Sequence, residues 1–395
     1  MNEILILTNY FPPEKGAAAN RIAQLAQNLN HLNYQVTVIC PMGNYPNGRI
    51  FEQYKGKFIV HETINGIKTK RLWIYPSNSK NIVKRLLSVV SFASFLGFYL
   101  LFFKTPKKVI VQSPPLLLSF LAIIILKFKQ KKIILNVSDL WPLAALELQL
   151  IAKNSVSHQM ACYFEKNIYQ KSTVILGQSL EILEHIQNLG HPQPCYLYRN
   201  YPVYDKAVFN LKCHTDGTIR IFYAGLLGVA QGIFELCKQI HLKNLPIEFH
   251  IFGEGAERQA IEALIETNGM ANKLVFHGML DRALLHQQLQ TMDIAVVPLK
   301  NRIYGSVPSK IFEYSLLGFP ILYFGGGEGE QIVAQNNLGW VAKVTDFEDF
   351  NNVLKNISLL TKVEIDQKKR QVFEQANQQF DLQKQMDNLV AFDVF

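Results

Sequence analysis

Cysteine is scarce and carries no pattern. The five residues, Cys40, Cys162, Cys195, Cys213 and Cys237, show no C-x-x-C spacing. That argues against a metal site or a disulfide framework and points to a reducing compartment. Charge is also thin, at 18% of residues against 49% apolar, which excludes a disordered chain. Acids are the rarer sign: 31 against 40 basic residues leave a net charge of +9. That balance favours phosphorylated ligands, a polyanion or an anionic membrane. No G-x-G-x-x-G follows the first apolar run, which argues against a dinucleotide-binding oxidoreductase. No Asp-x-Asp pair, repeat or low-complexity tract occurs. The opening MNEILILTNYFPPE lacks a basic n-region and reads as a first strand, not a signal peptide.

What is present is alternation. At 395 residues the chain is too long for one ordinary core, so two domains are expected. Residues 4–8, 35–40, 68–72, 109–112, 133–137, 174–177 and 196–198 read as strands, with helices at 17–32 and 179–189. A β-α-β order implies a parallel sheet with ligands at the carboxyl ends of its strands. A second set starts at 219–224 and continues through 248–252, 275–277 and 295–298. Its loops are expected to hold Gly225, Gly228, Gly232 and the run Gly253-Glu254-Gly255, and helices follow at 347–354 and 362–375. The fold class is α/β. Expected domains are 1–200 and 201–375, with residues 199–202 as the way out of the first. The tail 376–395, apolar at Leu389, Val390, Phe392 and Phe395, is expected to pack back on the body.

Residues 86–103 carry no charge, and 109–128 are nearly as apolar. Lys80, Lys84 and Arg85 precede the first run, Lys104, Lys107 and Lys108 separate the two, and Lys127, Lys129, Lys131 and Lys132 close the second. A membrane hairpin, buried elements of the domain and an interfacial helix all compete here. Ser113-Pro114-Pro115 breaks the second run into strand and loop. The pattern therefore fits a helix of the fold, within 86–128, that shows an apolar face to a bilayer.

The stretch 304–331, YGSVPSKIFEYSLLGFPILYFGGGEGEQ, reads as loop, helix, strand, glycine loop and helix start. Pro308 suits a first helical turn and Ser309 is expected to cap it. Lys310 and Glu313 fall on one helical face. A lysine at a helix start binds anions, and a carboxylate one turn in accepts the hydroxyls of a sugar. An anion beside a diol describes a nucleotide, although a solvated Lys–Glu pair gives the same pattern. Elsewhere, Gly16 either lets a phosphate approach the backbone or is a plain turn glycine. Asp139 either serves catalysis at a strand end or caps the next helix.

Taken in order, FPPEKG, SDLWP, IFGEGAER, PSKIFEYSLLGFPI and GEGEQIV resemble the retaining, nucleotide-sugar-dependent glycosyltransferases of the GT-B fold, family 4 type. NYPNGRIFEQY and AGLLGVAQG are most similar to bacterial O-antigen and capsule transferases, including N-acetyl-L-fucosamine transferases. The resemblance covers residues 1 to about 375. It implies two Rossmann-like domains with parallel sheets facing a cleft, the donor on the second and the acceptor mainly on the first. By position, Glu313 would accept the ribose hydroxyls, and Ser309 and Lys310 would meet the diphosphate. Gly253, Glu254 and Gly255 would border the nucleoside, with backbone at His277 and Gly278 against the base. Gly16 would close on the diphosphate, Glu328 and Glu330 would face the sugar, and Asp139 would lie near the anomeric carbon.

The resemblance further implies a hexosyl-type transfer with retention from a UDP-sugar, of UDP-N-acetyl-fucosamine type by analogy. The acceptor would be a polyprenyl-diphosphate-linked saccharide in surface polysaccharide synthesis. No metal or other cofactor and no nucleic acid would be involved. The enzyme would be cytoplasmic, peripheral on the inner face of an anionic membrane. Two departures stand out. The first Glu of the family's Glu-seven residues-Glu motif is Gly305 here, and the loop after the first strand of the second domain, residues 226–231, lacks Arg and Lys. A sugar-nucleotide epimerase and a non-catalytic member of a polysaccharide assembly complex remain open as alternatives.

Overall fold

The computed structural model describes residues 2–14, 16–45, 47–79, 81–202, 216–267 and 272–395. Lys15, Pro46, Lys80 and Cys213, used above, lie outside them. The chain divides into two compact units. The first comprises Met1–Asn200, Tyr304–Ser306 and Gln383–Phe395; the second comprises Tyr201–Ile303 and Val307–Leu382.

In chain order the first unit contains β1 (Glu3–Leu7), α1 (Ala17–His31), β2 (Gln35–Pro41), β3 (Ile59–Ile64), β4 (Ile67–Leu72), α2 (Ile82–Phe102), β5 (Lys108–Ser113), α3 (Leu116–Phe128) and β6 (Lys132–Val137). There follow α4 (Leu143–Glu147), α5 (Val156–Lys171), β7 (Val174–Gly177), α6 (Leu180–Asn188) and β8 (Cys195–Leu197). The sheet order is β3-β4-β2-β1-β5-β6-β7-β8. The inner strands β1, β5, β6 and β7 are buried along nearly their whole length and carry apolar runs (ILIL, VIV, IIL and VIL) because helices cover both faces of a parallel sheet.

Two details depart from what the sequence leads one to expect. β3 is antiparallel to β4, in a hairpin turned by Asn65 and Gly66, both at positive φ. A two-residue type I′ turn requires positive φ at both central residues, which favours Asn-Gly. Asp139 caps no helix, since α4 begins after Pro142.

The uncharged run forms α2. Phe92, Ala93, Leu96 and Leu100 recur at helical spacing and are buried in the first unit's core, where α2 packs on α3. The opposite side shows Val83, Leu86, Leu87, Phe98, Leu101 and Phe102 to solvent, Phe102 at 70% exposure. Residues 83–102 are long and apolar enough to cross a membrane, and 33% of the most apolar window is buried in the protein.

The second unit contains β9 (Ile219–Leu226), α7 (Ile233–Gln239), β10 (Ile247–Glu254), α8 (Arg258–Thr267), β11 (Leu274–Gly278), α9 (Arg282–Leu289), β12 (Ile294–Pro298) and α10 (Lys310–Leu316). β13 (Ile321–Phe324), α11 (Gly327–Gln335), β14 (Gly339–Val341), α12 (Phe347–Ser358) and α13 (Lys362–Gln379) complete it. The wholly parallel order β11-β10-β9-β12-β13-β14 reverses between β9 and β12. In open α/β sheets ligands bind at the carboxyl ends of the strands flanking such a reversal.

α14 (Leu382–Ala391) carries the chain back to the first unit. Gln385 exchanges two hydrogen bonds with the Arg199 backbone, at 2.9 and 3.0 Å. Phe392 stacks on Tyr196, and Val394 and Phe395 are buried.

Candidate nucleotide and acceptor sites

The reversal point of the second unit is built by a short ladder. β9 pairs with β10 over its whole length, but with β12 only at Ile221 and Phe222. Beyond that the two strands part, and β12 no longer reaches the Ala224 backbone. Tyr314, on α10, fills the gap: its hydroxyl donates to Ala224 O (2.7 Å) and accepts from Ala224 N (3.3 Å). Backbone groups this deep require such partners. Burial holds the phenols of both Tyr314 and its neighbour Tyr223 well above the usual tyrosine range. Tyr223 donates to Leu226 O at 2.7 Å.

Lys310 lies over this plug. Its Nζ is 5.1 Å from the Tyr314 ring centre and 3.9 Å from Glu313 Oε2, so the two residues singled out by spacing are neighbours. Both remain partly open, at 28% and 35% side-chain exposure, so a cation and a carboxylate stand side by side. Ser309 departs from expectation. It is helical in conformation and makes no side-chain capping bond, so its hydroxyl does not occupy the first amides of α10.

Glycine clears the ends of β9 and β10. Gly225 and Gly253 are in register, and a methyl on Gly253 (φ +145°) would stand 1.8 Å from Gly225 O. One on Gly255 would stand 2.3 Å from Leu227 O. These glycines let the two strand ends run together with no side chain between them. Gly225, Gly253 and Glu254 belong to strands rather than to the loops expected from sequence, because the β9–β10 ladder extends to Leu226 and Glu254. Glu254 is tied at 2.6 Å to Arg258 on α8.

His277, near the end of β11, stacks on Phe252 with ring centres 4.2 Å apart. Its Nε2 is 2.9 Å from His250 Nδ1, and His250 Nε2 is 3.2 Å from Glu248 Oε2. Burial and the adjacent His250 push the His277 pKa down to about 4. Gly278 follows at φ +68° with open space around it.

At the start of α11, Gly326 and Gly327 take positive φ and no side chain caps the helix. Arg302 lies against Gly327, where a methyl would meet its Nε at 2.0 Å. Nothing in the sequence pattern marks this arginine beyond its place as a basic residue in the loop after β12; what it touches depends on the fold. Glu328 is buried and Glu330 half-buried on the same helix.

In the first unit, Gly16 precedes α1, and among the described residues a methyl on it would meet Tyr45 Cε1, at 3.9 Å. Asp139 follows β6, accepts from Ser138 Oγ at 3.2 Å, and has its pKa raised by burial, against the lowering effect of Arg21. Gly305 also belongs to this unit. Its O accepts from Ser179 Oγ and its N donates to Glu181 Oε2, each at 2.8 Å. At φ +84°, where a methyl would stand 2.9 Å from Ile182 Cγ1, the position does not accommodate glutamate as folded. A groove of about 520 Å³ at the amino ends of β1, β2 and β4 holds none of the candidate residues. Among the described residues no cluster of three or more His, Cys, Asp or Glu side chains is arranged to hold a metal.

Residues 218–358, most of the second unit, match the family profile described as glycosyl transferases group 1. No curated protein sequence matches the chain. Solved structures do, at low identity. Sucrose-phosphate synthase from Thermosynechococcus elongatus is 15% identical with a TM-score of 0.73, over 99% of this chain and 98% of that one. HepE from Anabaena, solved with UDP and glucose, gives 12% and 0.66 over 99% of each chain. The lipopolysaccharide outer core galactosyltransferase WaaB gives 16% and 0.64 over the full length of both. The chain therefore has the GT-B fold.

Proposed function

We propose that the chain is a retaining glycosyltransferase that moves a hexosyl-type group from a nucleotide-sugar, UDP-linked by analogy, to a polyprenyl-diphosphate-linked saccharide. The observation that carries this reading is the Lys310–Glu313 pair at the reversal point of the second unit, inside the matched segment. Glu313 accepts the ribose hydroxyls. Lys310, Arg302 and the uncapped amides at the start of α11 take the diphosphate, and the β11 end at His277 and Gly278 borders the base. Glu328 and Glu330 lie toward the sugar.

The chemistry follows from charge. As the anomeric C–O bond to the β-phosphate breaks, the electron pair leaves with the diphosphate and the sugar becomes cationic. The acceptor hydroxyl attacks from the same face, and its proton passes to the departing phosphate oxygen. Fixed donors on that leaving group stabilise the transition state, and losing one lowers the rate by roughly 10²–10³. Asp139 is assigned to the region of the anomeric carbon. Metal independence is part of the proposal: it is implied by the resemblance, and the missing Asp-x-Asp pair agrees with it; EDTA is expected to leave the rate unchanged.

The lipid acceptor is supported by α2, whose exposed apolar side is joined in the first turn by the exposed Lys84 and Arg85. Apolar contact with basic residues is the two-signal pattern of reversible binding to an anionic membrane surface. We place the enzyme on the cytoplasmic face, in the assembly of surface polysaccharide of O-antigen or capsule type.

The test is a screen of UDP- and GDP-sugars against membrane lipid extracts, following nucleoside diphosphate release. Release that needs the lipid, and that Glu313→Ala abolishes while the protein stays folded, is the expected result. A fully active Glu313→Ala variant, or an epimerised free nucleotide-sugar without acceptor, overturns the reading.

A further inference from the structure

Arg21, in the second turn of α1, is held on one side among the described residues. Its Nη1 donates to Gln178 Oε1, and Gln178 Nε2 donates in turn to Ser138 O. Its Nε is buried and has no hydrogen-bond partner among the described residues. Asp139 is close enough to favour the charged form, yet among the described residues no ion pair joins the two. The buried Tyr198 is the other ionisable group that Arg21 feels.

A guanidinium with a buried, unmade N–H bond is an expensive arrangement, and a partner of the right shape relieves it. Nε–H and Nη2–H point the same way, as a fork that matches two oxygens of one phosphate or carboxylate. Gln178, anchored on the β6 end, fixes the plane of the group. A plain strut between α1 and β7 would need the Nη1 contact alone and would gain nothing from a buried Nε. The surrounding chain ends, after β6 and β7, are the carboxyl side of the first unit's sheet, where ligands bind.

We propose that the Nε–Nη2 edge of Arg21 is an oxyanion site that takes the diphosphate of one of the two substrates. The inference rests on the function proposed above, in which donor and acceptor each carry a diphosphate. Lysine cannot replace the group, because an ammonium keeps the charge but not the fork.

The experiment uses the full-length protein, with UDP and farnesyl diphosphate as probes, and measures binding by calorimetry for wild type, Arg21→Lys, Arg21→Met and Lys310→Met. Arg21→Lys is expected to weaken one probe at least tenfold, leave the other within twofold, and keep the wild-type melting temperature. Loss of farnesyl diphosphate assigns the site to the acceptor, and loss of UDP assigns it to the donor. Wild-type affinity of Arg21→Lys for both probes overturns the proposal, whether or not Arg21→Met folds. UDP binding that Lys310→Met removes upholds the nucleotide reading independently. If wild type binds no UDP, that reading fails and farnesyl diphosphate alone decides the role of Arg21; if wild type binds neither, both fail.

Discussion

Gly225 makes room for Lys310. A methyl at Gly225 would stand 2.7 Å from Lys310 Cε and 3.2 Å from Nζ, so the lysine occupies the space a side chain would fill. The conflict involves the far end of a flexible side chain, not backbone. Gly225→Ala is therefore expected to fold with a stability change under about 1 kcal/mol while shifting the ammonium. A displacement of about 1 Å at such a group lowers turnover by up to about a hundredfold. Steady-state kinetics beside a thermal melt check this, and wild-type turnover would detach Lys310 from the chemistry.

Gly253 behaves in the opposite way. Its added methyl meets a carbonyl oxygen at 1.8 Å in a conformation that favours glycine, and backbone has nowhere to go. Gly253→Ala is expected to destabilise the second unit by about 3 kcal/mol. Urea denaturation followed by limited proteolysis reads the loss.

Acid weakens the second unit through its histidines. The unfolded His277 takes a proton near pH 6.5, whereas burial beside His250 holds the folded one down to about 4. The folded state thus binds fewer protons between these values. Stability present above pH 6.5 declines as the pH falls, and the decline is complete near 4. His250, also depressed by burial although Glu248 opposes the shift, acts in the same direction. The urea midpoint is expected to drop between pH 7.5 and 5, with a shallower drop in His277→Phe.

The exposed side of α2 separates stability from membrane binding. Phe98 and Phe102 are 60% and 70% exposed. Changing both to serine is expected to move stability by no more than about 0.5 kcal/mol. It is expected to weaken co-sedimentation with anionic vesicles by roughly tenfold per side chain. Unchanged sedimentation would remove α2 from the membrane contact.

The α/β alternation was legible because strands buried on both faces must be apolar throughout, as in β7, VILG. β3 was not, since its residues alternate between exposed and half-buried at a sheet edge; Asn65-Gly66 was the signal for it. Lys310 and Glu313 could be paired from their spacing, which is a property of one helix. Tyr314 could not be read as a plug, because its role arises where β9 and β12 part. Arg21 was likewise invisible: Gln178, its partner, lies 157 positions away.

The segment from Gln383 onward completes the first unit, with Tyr34 donating to Phe395 O at 3.4 Å and Lys132 paired with Asp393. Those residues leave the ribosome after everything in the second unit. The earlier-made half must therefore wait, its docking surface for α14 bare, until its partner has been synthesised. A lesion in the last helix therefore weakens the half that was made first.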